Sequence, residues 1–262
     1  MRAGAGRFLR DTAVTTGGYL TDTFAIQLDA DWLKGEYGRE HNDTDVKNAR
    51  LRAEWWLTPG SRLKAEVSRY VANMDLAGAL SAQDYLAGSR RSTRTLDEFS
   101  GRTTRASVNY LQDLGSWGPF DASQLDWTTF SANSTRNFVV GMRRASTETW
   151  RPDLPPQLRQ SAPRGFKVLG SEPRLTLQAN GENVSHAITI GVRAMHEDID
   201  FIVGNAGLDN GVYTLVRDGQ FRDRAWTGYI SDASSLFDKR LTVTPGLRGE
   251  HLDSSYYNRA TG

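Results

Sequence analysis

Apolar and polar residues alternate along most of this sequence, with the period of two that is typical of a β-strand with two different faces. In FAIQLDADW, residues 24–32, every even position is apolar, whereas Gln27, Asp29 and Asp31 occupy odd positions. The same alternation recurs at residues 48–57, 62–70, 104–112, 122–130, 166–178, 186–197, 224–233 and 240–253. The pattern predicts about nine or ten strands, and the hairpin spacing predicts that all of them are antiparallel.

The connections between these strands alternate in length. Four are short, at residues 58–61, 115–119, 179–183 and 234–239, and the first, TPGS, has turn chemistry. Four are mostly long, at residues 38–45, 72–99, 131–163 and 197–221, and the second contains a candidate short helix around 81–86. Every other connection of an up-and-down sheet emerges at the same end, so one end is trimmed and the other elaborated. Outer-membrane barrels have this arrangement.

The alternation does not by itself decide which face meets water. A soluble β-sandwich turns its apolar faces inward, whereas a membrane barrel turns them toward lipid. The polar faces carry many Arg, Asp and Glu residues, which a dry core does not accept. We therefore expect an all-β, antiparallel, up-and-down transmembrane β-barrel fragment, with Leu51, Val67, Val108 and Ile190 on its convex outer face. The alternative is a soluble β-sandwich that binds glycans or peptides through its long loops.

Composition removes several other classes. The 262 residues are 38% hydrophobic, with a mean hydropathy of -0.54, and contain no apolar run of about 18 residues that would form a transmembrane helix. The net charge of +1 offers no field to attract nucleic acid. Without cysteine there is no disulfide framework and no thiol chemistry. Residues 1–20 lack the apolar stretch of a signal peptide, so we expect an irregular segment there and the barrel portion at 21–262.

No motif for covalent chemistry stands out. The sequence has no glycine-rich phosphate loop, no GxSxG and no paired-histidine helix motif. MHEDID places His196 and Asp198 on one side of a strand and Glu197 on the other, which is a poor ligand set for a single metal ion. We expect a protein that is not an enzyme and that holds no cofactor or resident metal. A less favoured alternative is an outer-membrane barrel lipid hydrolase, which needs a Ser and a His converging on one face.

Six stretches occur in order over residues 20–260: LTPGSRLKAEVSRY, AGALSAQDY, DEFSGRTTRASVNYLQDLG, APRGFKVLGSEPRL, VRAMHEDIDF and LTVTPGLRGEHLDSSY. Together they resemble the TonB-dependent outer-membrane receptors, and most closely the ferric dicitrate receptor branch. The resemblance implies a barrel of about 22 strands around a globular plug in the bacterial outer membrane. Such a receptor binds an iron chelate outside and moves it inward with energy delivered by TonB.

The resemblance also implies a fragment. The sequence has no recognisable signal peptide, TonB box or plug domain, and its predicted strands are fewer than half of the complete barrel. An open half-barrel would leave two unpaired strand edges in lipid. We therefore expect the barrel portion of a longer receptor, surrounded by outer-membrane lipid and dependent on a missing plug region for contact with TonB.

Arginines are the candidate ligand-binding residues. Receptors of this branch hold an anionic iron complex with inward-reaching arginines, whose guanidinium groups suit carboxylates. By position in the matching stretches, the candidates are Arg136, Arg164 and one of Arg217 or Arg224, with the doublet Arg143–Arg144 as a further possibility. The alternative for any single one of them is a solvated loop charge. The implied ligand is ferric citrate or another ferric siderophore, trapped by closure of the long loops.

Overall fold

The computed structural model describes residues 2–5, 9–143, 155–238 and 240–260, and most of them lie in strands. The strands are β1 (Arg2–Ala5), β2 (Leu9–Thr21), β3 (Phe24–Glu36), β4 (Asp43–Thr58), β5 (Ser61–Asp75), β6 (Glu98–Trp117), β7 (Phe120–Met142), β8 (Leu158–Ser161), β9 (Arg164–Asn180), β10 (Val184–Gly207), β11 (Tyr213–Leu236), β12 (Leu241–Val243) and β13 (Gly246–Asn258). Between β5 and β6 lies the short helix α1 (Ala82–Leu86).

The described strands form a single 13-stranded antiparallel sheet in which most neighbours are consecutive in the sequence. The long strands are β2 to β7, β9 to β11 and β13, each with 13 residues or more. The remaining three, β1, β8 and β12, have three or four residues each. This arrangement confirms the all-β, antiparallel, up-and-down fold that the alternation predicts.

Two prolines divide strands that are otherwise continuous. Pro163 separates β8 from β9, and Pro245 separates β12 from β13, yet the pairing register is unchanged across each of them. Proline has no N–H to donate to the ladder, but its carbonyl still accepts. The Ile202 N–H donates to the Pro163 carbonyl and the Asp232 N–H to the Pro245 carbonyl, both at 3.0 Å. Proline therefore interrupts these strands without a bulge.

The register assigns each strand residue to one of two faces, because directly paired residues project from the same side of a sheet. Followed from strand to strand, the pairs place the four residues predicted for the outer face together: Leu51, Val67, Val108 and Ile190. We call this side the apolar face. The opposite side, the polar face, carries charged cross-strand pairs such as Arg50 with Asp29. The prediction that these apolar residues share a face is confirmed.

We call the apolar residues of the apolar face the belt. The belt runs obliquely across the strands. One row of directly paired residues on the apolar face runs Leu28, Leu51, Val67, Ala106, Ser131, Leu169, His196, Arg224 and Asp253. The row starts inside the belt and ends outside it, so the belt shifts by about one residue per strand. With a rise of about 3.3 Å per residue and a strand spacing of about 4.8 Å, this shift corresponds to a tilt of about 35°. Closure of a barrel requires such a tilt.

The two ends of the sheet differ as the sequence predicts. Connections at 22–23, 59–60, 118–119, 181–183 and 237–240 share one end, the short-turn end. Those at 37–42, 76–97, 143–157 and 208–212 share the other, the long-loop end. The helix expected around 81–86 is present as α1, and Ser81 caps it by accepting a hydrogen bond from the Asp84 N–H at 3.1 Å.

Three expectations about irregular segments are wrong. Residues 9–20 belong to β2 and residues 2–5 form β1, rather than an irregular segment. The loop expected at 197–221 is reduced to 208–212, and the loop expected at 131–163 begins only after Met142. Toward the long-loop end the alternation is reversed. There the apolar face carries polar residues, and aromatic residues lie on the polar face. The halves of these strands nearest the long-loop end, which we call the upper halves, therefore lack the pattern of the belt.

The described strands enclose no hydrophobic core. Among the described residues, the buried hydrophobic side chains are only Ala72, Ala77, Val139 and Leu177, and no large side chain is fully buried. The accessible surface is 17068 Å², whereas a compact monomer of 29.1 kDa is expected to expose about 11,400 Å². In the part of the chain that the structure describes, no second layer covers either face, so the alternative of a soluble β-sandwich is wrong. Among the described residues, no helix has the length and apolarity needed to cross a membrane.

Candidate functional site

Three of the four predicted arginines lie together on the polar face near the long-loop end. Arg136 of β7 is directly opposite Arg164, the first residue of β9. Arg164 is opposite Phe201 of β10, and the guanidinium carbon of Arg217 lies 5.7 Å from the Phe201 ring centre. We call Arg136, Arg164 and Arg217 the arginine cluster. All three side chains are exposed, so a ligand on the polar face can reach them.

Aromatic rings support this cluster. The Phe166 ring lies under Arg136, with 5.1 Å between the guanidinium carbon and the ring centre. Phe201 stacks on Phe221 at 5.8 Å, and Phe221 contacts Tyr256 at 4.8 Å between ring centres. A ring beneath a guanidinium attracts its charge through the ring face. It leaves the N–H groups at the guanidinium edge free to donate to a ligand.

The arginine cluster has no counter-ion among the described residues. Within the described ranges, none of its three guanidinium groups has a carboxylate ion pair, and two of them face each other. Nearer the short-turn end, arginines on the same face are neutralised: Arg50 by Asp29 at 2.9 Å, Arg52 by Glu66 at 3.2 Å and Arg174 by Asp126 at 2.6 Å. Arg62, Arg105 and Arg193 of the same face also have no ion pair among the described residues, so what distinguishes the arginine cluster is the direct pairing of Arg136 with Arg164 close to the long loops.

Arg224 is not part of this cluster. It lies on the apolar face, two residues from Trp226 and directly opposite His196. Seven residues separate Arg217 from Arg224 along β11, and an odd separation along a regular strand places two side chains on opposite faces. Of the doublet, Arg143 directly follows β7, and Arg144 lies outside the described residues.

Two of the connections at the long-loop end are tied to one another. Arg39, in the connection 37–42, donates to three carbonyls of the connection 76–97: Gly78 at 2.6 Å, Ala77 at 3.2 Å and Arg91 at 2.9 Å. At the start of α1, the Ser81 hydroxyl also donates to the Asp84 carboxylate at 2.9 Å, which lowers the pKa of Asp84 below its ordinary value. These contacts give this rim a defined shape beside the polar face.

The arrangement is suited to binding an anion rather than to covalent chemistry. Guanidinium groups donate paired hydrogen bonds to carboxylates, and each of these charge-assisted bonds is stronger than a neutral one. Ser234, His186 and Asp232 do converge on the apolar face near the short-turn end. Asp232 and Ser234 both contact the same ring nitrogen, Nδ1 of His186, at 2.7 and 3.3 Å. A catalytic serine needs the opposite ring nitrogen from the one that the carboxylate holds, so this geometry does not make a triad.

The aromatic part of the site was missed by sequence reasoning. Phe166, Phe201 and Phe221 were assigned to a strand end or to a loop, and Tyr256 was not singled out. Their signal is the reversed alternation described above: Phe201 and Phe221 occupy odd positions of β10 and β11, whereas the belt residues of those strands occupy even positions. Their odd positions assign both rings to the polar face, which is the face of the arginine cluster.

An antiparallel sheet of long tilted strands, uncovered on both faces and elaborated at one end, is part of the wall of a large β-barrel. No protein-family model matches the sequence. Solved structures confirm the TonB-dependent receptor fold expected from the sequence. The structure of the ferric citrate transporter FecA in the unliganded form matches 97% of this chain and 36% of its own, with a TM-score of 0.83 and 23% identity.

Two further solved structures have the same fold. The siderophore receptor PiuA from Acinetobacter baumannii matches 98% of this chain and 44% of its own, with a TM-score of 0.73 and 10% identity. The ferric-catecholate import receptor Fiu from E. coli K12 matches 95% of this chain and 40% of its own, with a TM-score of 0.71 and 14% identity. The chain therefore spans less than half the length of these structures.

Proposed function

We propose that this chain forms part of the barrel wall of a bacterial outer-membrane receptor that takes up a ferric chelate, with ferric citrate as the cargo. The observation that carries the proposal is the arginine cluster on the polar face. Arg136, Arg164 and Arg217 have no carboxylate ion pair among the described residues, and they lie beside the long loops. A complex of iron with a polycarboxylate would supply the anionic oxygens that these groups lack.

The two faces of the sheet fit this role. In the complete receptor the apolar face would contact lipid, and the polar face would line the lumen, as in other transmembrane barrels. A groove of about 660 Å³ on the polar face near the short-turn end includes Tyr19, Arg52 and Trp56 in its lining. This groove would pack against a plug supplied by the rest of the receptor, through which TonB would act.

The proposed mechanism is binding followed by gated transport, with no covalent step. The chelate would enter from the long-loop end and exchange water for guanidinium N–H groups on the arginine cluster. The tied loops around Arg39 would cover it from outside. Energy from TonB would then act on the plug, because the barrel wall has no nucleotide site of its own in the sequence.

The test is calorimetric titration of ferric citrate into the complete purified receptor. We expect the double variant Arg136→Ala, Arg164→Ala to bind at least about 100-fold more weakly, since a charge-assisted hydrogen bond contributes about 1.5–3 kcal/mol. Arg224→Ala is the matched control, because it removes an equally exposed arginine from the opposite face of β11. Unchanged affinity in the double variant, or an equal loss in Arg224→Ala, would contradict the assignment.

A second cargo is supported by the aromatic residues. Phe166, Phe201 and Phe221 offer ring faces next to the guanidinium groups, and such surfaces also suit a chelate with aromatic rings. The variant Phe201→Leu separates the two cargoes. It should weaken a ferric catecholate about tenfold or more if an aromatic chelate is the cargo, and it should change ferric citrate affinity less than threefold if a carboxylate chelate is the cargo.

A further inference from the structure

The geometry points to a lipid site on the apolar face, which we define as the groove between Leu169 and Trp226 together with Arg224 at its upper end. We infer that this groove holds one acyl chain of a phosphorylated lipid from the outer leaflet, and that Arg224 binds the lipid phosphate. The inference rests on the proposed membrane orientation of the sheet. It is independent of the chelate, because the arginine cluster lies on the other face.

The groove exists because small side chains follow one another along a row of paired residues. Thr129, Ser171 and Ala194 form its floor, and Trp226 ends the row. The volume is about 300 Å³, and its lining is mostly apolar. A narrow channel floored by small residues and bounded by larger ones matches the cross-section of a hydrocarbon chain better than that of a folded partner.

The polar atoms of the floor are partly engaged within the protein. The Trp127 indole Nε1–H donates to the Ser171 hydroxyl at 2.8 Å, and the Thr129 and Ser171 hydroxyls are hydrogen-bonded at 3.1 Å. These contacts use one hydroxyl donor and the indole N–H, which lowers the cost of placing the two hydroxyls against hydrocarbon. The groove therefore presents mostly carbon to a ligand, although four of its lining residues, Thr129, Ser171, His196 and Arg224, are polar.

Beyond Trp226, toward the middle of the belt, the apolar face has a second opening. Gly228, two residues below Trp226, lies directly opposite Gly249 of β13. A side-chain carbon added at either glycine would meet no atom within 4 Å. This pair of glycines leaves an open notch in the apolar face, which extends the space available to a chain in the direction that an acyl chain runs from a headgroup.

The upper end of the groove carries available positive charge. Arg224 is exposed, and within the described ranges it makes no ion pair. The charged groups around it are engaged elsewhere: Asp198 is 3.3 Å from His196 and 3.5 Å from Arg222, and Asp253, which is opposite Arg224, is 3.2 Å from His251. Lys167, on the same face of β9, also has no ion pair in the described part of the chain.

These two features together favour a lipid over a free anion. The cationic end lies where the apolar belt gives way to polar residues, which is the depth of lipid headgroups in a membrane barrel. A soluble phosphate would engage Arg224 and leave the groove empty. A lipid with a phosphate headgroup engages both, and a zwitterionic lipid places a repelling ammonium group beside the same arginine.

The test uses the complete receptor in mixed micelles, with phosphatidylglycerol whose acyl chains carry bromine as the probe. Bromine quenches tryptophan fluorescence on contact, so lipid in the groove reports through Trp226 and Trp127. We expect saturable quenching by brominated phosphatidylglycerol, at least fivefold weaker binding of brominated phosphatidylcholine, and no competition by inorganic phosphate. Equal binding of the two lipids, or displacement by inorganic phosphate, would overturn the inference.

Three variants separate this site from the chelate site. Arg224→Ala should weaken phosphatidylglycerol about tenfold and leave chelate binding unchanged. Ala194→Phe should fill the groove without adding a tryptophan and should abolish saturable quenching in a receptor that still binds chelate, which shows that it is folded. Arg217→Ala, on the other face of the same strand, should retain lipid affinity. If Arg224→Ala keeps full lipid affinity, the lipid inference fails. If every variant of the arginine cluster keeps full chelate affinity, the proposed function fails and the lipid inference is unaffected.

Discussion

The oblique belt predicts how strongly an arginine is tolerated at three positions of one row on the apolar face. Val67, Ser131 and His196 belong to the same row of paired residues, so a flat, untilted sheet would hold them at equal depth. The tilt instead places them at increasing distances from the middle of the belt. The variants Val67→Arg, Ser131→Arg and His196→Arg therefore measure the tilt and the lipid contact together.

The depths follow from the strand geometry. Val67 is two residues from Ala65, the middle of its apolar run, Ser131 is four residues from Trp127, and His196 is five residues from the middle of the run 188–194. At about 3.3 Å per residue and a tilt of about 35°, these separations are about 5, 11 and 13 Å from the membrane midplane. The apolar band is about 25 Å tall, so its edge lies at about 12 Å.

We expect the cost of arginine to fall along this series. At the midplane it is about 2–4 kcal/mol and near the interface about 0–1 kcal/mol, so Val67→Arg should be the most destabilising and His196→Arg nearly neutral. The assay is urea unfolding of the complete receptor in lipid bilayers, followed by tryptophan fluorescence. Equal costs at the three positions, or no cost at Val67, would refute the reasoning about lipid contact and tilt.

Three further outcomes follow from the structure. Gly191→Ala should destabilise the receptor by about 1–3 kcal/mol in urea unfolding. The added carbon would lie 2.2 Å from the ring of Tyr229, which donates a hydrogen bond to Glu172. Gly249→Ala is the control that should not destabilise it, because an added carbon there meets no atom within 4 Å. Arg164→Ala should leave stability unchanged or raise it by up to about 1 kcal/mol, since like charges directly opposite each other destabilise a sheet; a loss larger than this would show that the pair is not repulsive. The stabilising contact between Ser81 and the Asp84 carboxylate should be present above about pH 3.9 and be lost as pH falls through the lowered pKa of Asp84. Amide hydrogen exchange in α1 measures this loss. An identical pH response in Ser81→Ala would contradict it.

Much of the fold follows from the sequence because one physical rule operates along most of the chain. A strand between lipid and water must alternate, so the faces of Leu51, Val67, Val108 and Ile190 could be assigned without a structure. The turn at 58–61 and the helix near 81–86 also carry local signals, a Pro-Gly pair and a Ser cap. These features need only neighbouring residues to be recognised.

The rest depends on information that no single strand contains. Above the belt both faces meet water, so the rule that identified the strands no longer applies, and residues 197–207 and 213–221 were assigned to a loop. The direct pairing of Arg136 with Arg164 depends on register, which alternation fixes only to within shifts of two residues. The choice between Arg217 and Arg224 became possible once β11 was known to run unbroken between them, because their odd separation puts them on opposite faces.

The central claim is that the arginine cluster binds an anionic iron chelate, and its most direct measurement is titration of ferric citrate into the complete wild-type receptor at low and high salt. The account predicts saturable binding that weakens as salt rises from about 0.05 to 0.5 M, because exposed guanidinium groups are screened beyond a Debye length. Absence of saturable binding, or an affinity that does not change with salt, would contradict it.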